Sequence, residues 1–242
     1  MRQVPQYFVI GNGRVAKHFR HYFSLLNLPV STWQRGDSLE KLQNNAALAS
    51  HILVLISDQA IENFIQQHLS LDPKTKPLLI HFSGSLVTEY AYGAHPLMSF
   101  SHQLYQLDDY QSIPFILDHD APDFADLLPG LPNPHVRLSK LLKAKYHALC
   151  VLGGNFSCIL WQKLFSSFEK ELNLPAHIAH PYLLQQTKNL FSDAKSALTG
   201  PLVRNDKNTI EKNIQALDAD PFQDIYKSFV MCYQKLIKEE VV

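Results

Sequence analysis

The stretch "YFVIGNGRVAKHFRHYF", residues 7–23, decides how the rest of the chain is read. It holds four apolar residues, Tyr7–Ile10, then a turn with two glycines, then Val15, Phe19, Phe23 and Leu26 recurring on one helical face. Gly11-Asn12-Gly13-Arg14-Val15-Ala16 fits G-x-G-x-x-G/A, and it stands between a buried strand and an amphipathic helix, the context its chemistry requires. Gly11 would allow the tight turn, Gly13 would let a pyrophosphate approach the backbone, and Ala16 would let the helix pack close to the sheet. The free N–H groups at the helix start would face the phosphates.

Outward from this unit, apolar strands alternate with helical patterns. Strands are expected at Tyr7–Ile10, Val30–Trp33, Ile52–Ile56, Leu78–Phe82, Pro114–Leu117 and Val136–Leu138. Several are nearly continuous apolar runs, as in parallel strands buried on both faces. Leu39 and Leu42 mark a second helix, and Ile61, Phe64, Ile65 and Leu69 a third, with Asp58 placed to cap it. The alternation predicts a doubly wound parallel α/β sheet of the Rossmann kind. After "DLLPGLPNP" (126–134) the pattern becomes helical. Leu141–Phe168 reads as one helix of about 42 Å, followed by helices at Ala179–Leu198, Asn208–Leu217 and Phe222–Lys238. The expected division is therefore a dinucleotide-binding domain over 1–138 and a smaller all-helical domain for substrate binding and dimerisation over 139–242.

Composition limits the function classes. Of 242 residues, 46% are hydrophobic, and 22 Lys and Arg balance 22 Asp and Glu. No basic cluster invites nucleic acid or an anionic membrane. No stretch reads as a membrane span or a signal peptide, so a cytoplasmic protein is expected. Cys150, Cys158 and Cys232 lack metal-ligand spacing and read as buried thiols. The pairs His18/His21 and His177/His180 have no acidic or thiol companions, so no metal site is expected.

The end of the second strand bears on which dinucleotide would bind. It reads Ser31-Thr32-Trp33-Gln34-Arg35-Gly36, with no carboxylate before Asp37. Arg35 offers a fork of donors to a 2′-phosphate, which favours NADP(H) over NAD(H). Ser57-Asp58 and Ser83-Gly84 follow the third and fourth strands, at the carboxyl ends where open α/β sheets bind ligands.

GNGRVA, ISDQAI, HFSG, HPLMSF, YHALCVLGGN and TGPLVRND together resemble the Rossmann-like proteins that carry a C-terminal helical domain of unknown function. These are relatives of pyrroline-5-carboxylate reductase and the 6-phosphogluconate-dehydrogenase-like enzymes. The resemblance covers nearly the whole chain and implies an NADP-binding domain, a helical domain and a homodimer. His95 looks like the His-Pro histidine of related dehydrogenases, where a neutral imidazole would position or protonate the reacting group. Asn155 sits where similar hydroxyacid dehydrogenases place a substrate-binding asparagine. Their catalytic lysine, four residues earlier, is Val151 here. His147 is a weaker candidate on roughly the same helix face. Arg204 would either hold a substrate carboxylate or pair with Asp206. The expectation is an NADP(H)-dependent oxidoreductase acting on a small carbonyl, imine or hydroxyacid-like substrate. The alternative is a dinucleotide-binding regulator or scaffold without turnover, which the missing lysine favours. A methyltransferase also uses a glycine turn, but the helical tail and the His-Pro segment argue against it.

Overall fold

The computed structural model describes residues 4–69 and 77–240. Its centre is a seven-stranded sheet in the order β2-β1-β3-β4-β5-β6-β7. The strands are β1 (Tyr7–Ile10), β2 (Val30–Trp33), β3 (His51–Val54), β4 (Leu78–His81), β5 (Tyr92–Pro96), β6 (Phe115–Asp118) and β7 (His135–Leu138). Strands β1 to β5 are mutually parallel, with Ile10 level with Trp33 and Val54, and Val54 level with His81.

Alternation along β1 shows why its run is apolar throughout. Tyr7 and Val9 pack into one core with Phe19 and Phe23 of α1 (Arg14–Leu25). Phe8 and Ile10 pack into the other with Leu42 and Ala46 of α2 (Leu39–Leu48) and Ile61 and Ile65 of α3 (Asp58–His68). A strand covered on both faces has no polar side to show.

One feature departs from the expected pattern. The strand β5 was not expected, because Tyr-Gly-Ala-His-Pro has neither alternation nor β-branched residues. It forms between two stronger neighbours, and it pairs antiparallel with β6, Ala94 opposite Leu117. A loop and the short α4 (Leu107–Ser112) join them in place of a full crossover, so the sheet is mostly rather than wholly parallel. The proline-rich 126–134 stretch is packed: Asp126 and Leu127 close the single-turn α5 (Phe124–Leu127), and Tyr7 Oη donates to Pro129 O at 2.8 Å. Buried Asn133 accepts from Tyr22 Oη at 2.7 Å and donates to Tyr110 O at 2.7 Å and Ile113 O at 2.9 Å.

The predicted long helix is a continuous helical run, Lys140–Lys170. It comprises a 3-10 turn, α6 (Lys143–Cys150), a π-helical segment over Val151–Phe156, and α7 (Ser157–Lys170). By length and composition this run could cross a membrane, with a window mean hydropathy of 1.3, contrary to the sequence expectation. Lys143, Lys145 and Lys163 interrupt it.

Two compact units divide at Ile159/Leu160, so residues 139–159 belong to the unit that contains the sheet. The second unit holds the rest of α7, α8 (His180–Ser192), α9 (Lys207–Ala216) and α10 (Phe222–Glu240). The helix α8 stops six residues before the expected Leu198. Asp193 adopts an extended backbone and its carboxylate accepts from Lys195 N at 3.0 Å, which draws the chain out of the helix. Asp206 caps α9 through Thr209 N at 3.1 Å, and no Arg204–Asp206 ion pair forms among the described residues. Lys163 bridges Glu171 at 3.2 Å and also pairs with Asp220. The cysteines are free, but Cys158 and Cys232 are exposed and Cys150 is half-buried, not the buried thiols expected. They lie on helix faces that this chain alone leaves uncovered.

Candidate active site

The carboxyl ends of β1, β3 and β4 open into a cleft of about 420 Å³, lined by Gly11–Ala16, by Ile56-Ser57-Asp58 after β3 and by Phe82-Ser83 after β4. It lies at the switch point of the sheet, where β1 is flanked by β2 and β3. Gly11 has φ +126°, and a β-carbon there would run into the Leu55 carbonyl, so the turn itself demands glycine. Gly13 differs. Its φ is an ordinary −69°, and a β-carbon there would meet nothing within 4 Å. Nothing in the fold calls for glycine at 13, and the space it leaves is open. Gly13 is also the N-cap of α1, where no side chain caps the first-turn N–H groups and no acidic residue follows. Arg14 stands exposed at the first helical position, and Arg20 Nη2 steadies the turn by donating to Asn12 Oδ1 at 2.8 Å. An uncapped, positively polarised helix end with open space before it suits a phosphate.

The structure brings Ser57, Asp58 and Ser83 to this cleft with the glycine turn. Asp58 does not cap α3: Ser57 occupies the N-cap position, and the Asp58 carboxylate instead accepts from Ser83 Oγ. That oxygen also accepts from Leu86 N at 3.0 Å and Ser85 N at 3.3 Å, which folds the loop after β4 into a tight turn. Arg35 does not line the cleft wall. It lies exposed two residues beyond the end of β2, whose last carbonyl, Trp33 O, accepts from Gly11 N at 2.8 Å. The Arg35 side chain has no hydrogen bond or ion pair among the described residues. Asp37 is already held by Lys41 Nζ at 2.9 Å and Gln34 N at 3.1 Å, which keep its carboxyl below its usual range.

Gly84, next to Ser83, leads from the cleft to a group of buried polar side chains. A β-carbon on Gly84 would lie 2.7 Å from His147 Nδ1 and 3.2 Å from His95 Nε2, so glycine is what lets both rings approach. The two rings stand perpendicular, with centroids 6.0 Å apart. His95 Nδ1 is 2.7 Å from Tyr146 Oη. His147 Nδ1 is buried without a partner among the described residues, as is His81 Nε2. Burial first, then the nearby His147 and Lys143, push His95 down to about 4. His81, fully buried, is likewise lowered to about 4, chiefly by desolvation. Both imidazoles are neutral at pH 7.

Beneath them Lys143 Nζ donates to Asp118 Oδ1 at 2.6 Å, both side chains almost wholly buried, and Gly93 N donates to Asp118 Oδ2 at 2.8 Å. The buried lysine of this group is Lys143, absent from the sequence candidates, and position 151, where the resemblance implies a lysine, holds valine. The signal was its spacing, because Lys143 and His147 are four apart on α6 and share its inner face. Asn155 is not gathered into this group: it is exposed in the π-helical segment and its side chain makes no hydrogen bond among the described residues. The described residues hold no group of three or more metal-binding side chains.

Comparison with known proteins agrees with this architecture. Residues 118–231 match the family model of a domain of unknown function, DUF2520. A comparison with curated sequences gives no match. Among solved structures, a candidate NADP oxidoreductase of Bacteroides fragilis superposes with a TM-score of 0.78 at 20% identity, over 96% of this chain and 98% of the other. An imine reductase variant of Myxococcus stipitatus in complex with NAD+ gives 0.60 at 12% identity, over 98% and 95%. The pyrroline carboxylate reductase of Plasmodium falciparum with NADP bound gives 0.55 at 13% identity, over 95% of each chain. The chain thus has the Rossmann fold of these oxidoreductase structures, and its residues 118–231 match the DUF2520 domain.

Proposed function

We propose that this protein is an NADP(H)-dependent oxidoreductase that moves a hydride to or from a small carbonyl, imine or hydroxyacid-like substrate. The observation that carries the reading is Gly13: a glycine the fold does not need, at an uncapped helix start, facing a cleft whose Ser83 wall adjoins Gly84 and the neutral His95. When bound, the dinucleotide supplies the hydride. Backbone N–H groups of the Gly11–Ala16 turn hold its pyrophosphate, and Arg14 adds charge from the first turn of α1. Arg35 binds the 2′-phosphate, a role open to it because its side chain has no partner among the described residues and because Asp37 is engaged by Lys41. Ser57, Asp58, Ser83 and Gly84 border the path from ribose to nicotinamide. His95 polarises the reacting oxygen or nitrogen from beside Gly84, and Asn155 contributes a substrate amide contact from the π-helical segment.

We assign residues 1–138 to dinucleotide binding and 139–242 to substrate contacts and homodimer formation. The unpaired cysteines fit a cytoplasmic setting. Lys143, bonded to Asp118 of the sheet, ties the apolar run to a globular core, and we read that run as part of this core and the dimer contact rather than as a membrane span.

Titration of the purified protein with NADPH and NADH, followed by nicotinamide fluorescence, tests the reading. Charge-assisted hydrogen bonds of about 1.5–3 kcal/mol predict NADPH binding roughly 10- to 100-fold tighter. Arg35→Ala should bring the two affinities together. Binding of neither nucleotide would end the proposal.

A further inference from the structure

Tyr146 takes no part in the chemistry above, yet it is the residue that His95 touches most closely. We propose that Tyr146 is a positioning residue. Its hydroxyl donates to His95 Nδ1 and so fixes His95 as the tautomer whose Nε2–H faces the space over Gly84, where it donates to the substrate's carbonyl oxygen or imine nitrogen. The proposal rests on the oxidoreductase reading for its last step, but the tautomer stands on the geometry alone.

Three groups form a chain on one side of α6. The Cys150 thiol lies within hydrogen-bonding reach of the Tyr146 hydroxyl, one helical turn further along. Tyr146 Oη in turn lies 2.7 Å from His95 Nδ1. The phenol has one proton and two neighbours that can receive it. Sulfur is a weak acceptor, whereas a bare imidazole nitrogen is a strong one. The proton therefore goes to His95 Nδ1. Burial and the thiol contact both push the Tyr146 phenol up, so the donor keeps its proton at any pH the protein meets.

A neutral imidazole that accepts at Nδ1 must carry its hydrogen at Nε2. That atom has no hydrogen-bond partner among the described residues. It sits 3.2 Å from the β-carbon position of Gly84, the residue adjoining the Ser83 wall of the cleft. The groups facing His95 are His147, Tyr146 and Lys143 from the α6 side and Asp58 from α3. None offers Nε2 an acceptor in hydrogen-bonding range, so its N–H is free for a ligand. His95 then acts as a fixed dipole aimed at an atom that gains negative charge as hydride arrives on its carbon neighbour, and solvent water supplies the proton that completes the alcohol or amine.

The test reads the tautomer directly. Long-range proton–nitrogen NMR correlations on the full chain without nucleotide, with His95→Gln used to identify the His95 signals, should show protonation at Nε2. Tyr146→Phe, which keeps the ring and removes the hydroxyl, should give mixed tautomers. In reduction of a cyclic imine or a ketone by NADPH, the same variant should lose about tenfold in kcat, the value of one neutral hydrogen bond. NADPH affinity should stay within about twofold, because Tyr146 does not line the nucleotide cleft. A wild-type His95 protonated at Nδ1 would overturn the proposal, and so would a Phe variant that keeps the wild-type tautomer. Should the Phe variant not fold, the wild-type ring decides alone: Nε2–H supports the proposal and Nδ1–H overturns it. Failure of the protein to bind NADPH would strike the oxidoreductase reading and leave the tautomer result standing.

Discussion

His81 and His95 show how burial alone changes what a residue can do. In the folded chain each titrates near 4, against 6.5 for the free side chain. Between those values the unfolded chain binds more protons than the folded one, so stability rises with pH across the window. It is lost as the pH falls from about 6.5 to 4. For the fully buried His81 the contribution is on the order of 3 kcal/mol. His81 Nδ1 accepts from Ser83 N at 3.2 Å, so an asparagine can take over that bond without titrating. His81→Asn should therefore show a shallower loss of stability than wild type in urea unfolding at pH 7 and pH 4.5. Parallel losses in the two proteins would mean that His81 is hydrated and titrates normally. The same physics restricts His95: a neutral ring at pH 7 is a hydrogen-bond donor rather than a reservoir of protons.

At the scale of elements, the site is a meeting of strand ends with one helix. The turns after β1, β3 and β4 build the cleft, and α6 delivers Lys143, Tyr146 and His147 to the polar group around Gly84 and His95, next to the Ser83 wall. The Lys143–Asp118 pair is what holds α6 in register with β6. Removing one member strands the other as an unpaired buried charge, at a cost of about 3–5 kcal/mol. Lys143→Met should lower the unfolding free energy by that amount in a denaturant titration. A change below about 1 kcal/mol would show that water reaches Asp118. Beyond α6 the helix loosens into the π-helical segment at Gly153-Gly154-Asn155, where a β-carbon on either glycine would meet nothing within 4 Å. Two adjacent glycines cost a helix about 1 kcal/mol each relative to alanine. Here they coincide with a change of helical pitch, a feature often found at functional positions.

At the scale of the whole molecule, apolar side chains stay exposed along the helices. Leu149, Leu152, Phe156 and Ile159 on the long run are each 45–58% exposed, and Phe191 on α8 is 87% exposed. Among the described residues of the second unit only Ala179, Ile210 and Val230 are buried apolar side chains. Apolar surface on this scale marks an interaction site, and a second copy of the chain is the occupant we expect. Size-exclusion chromatography with light scattering should return a dimer mass at micromolar concentration. A monomer that stays monodisperse would refute the assignment of residues 139–242 to dimer formation.

Local patterns carried most of the architecture. The strands β1 and β2 stand at the residues their sequence patterns predict, and β3, β4, β6 and β7 within a residue or two; for β1 and β3, buried on both faces, the apolar run is unmistakable. The GNGRVA turn was legible because its glycines answer to backbone geometry set within a few residues. Tertiary structure decided everything that depends on distant chain segments. Strand β5 exists because its neighbours offer a ladder, not because Tyr-Gly-Ala-His-Pro prefers one. Asp58 bonds Ser83 instead of capping its own helix, since the loop after β4 brings a better donor. Asn155, chosen by its place in the sequence, stands in the open, while Lys143, Tyr146 and His147 converge on Gly84 through contacts across 25 to 63 residues of chain. Periodicity records which side of an element meets the core. It does not record which residues of other elements wait there, and the polar group beside the cleft is made wholly of such meetings.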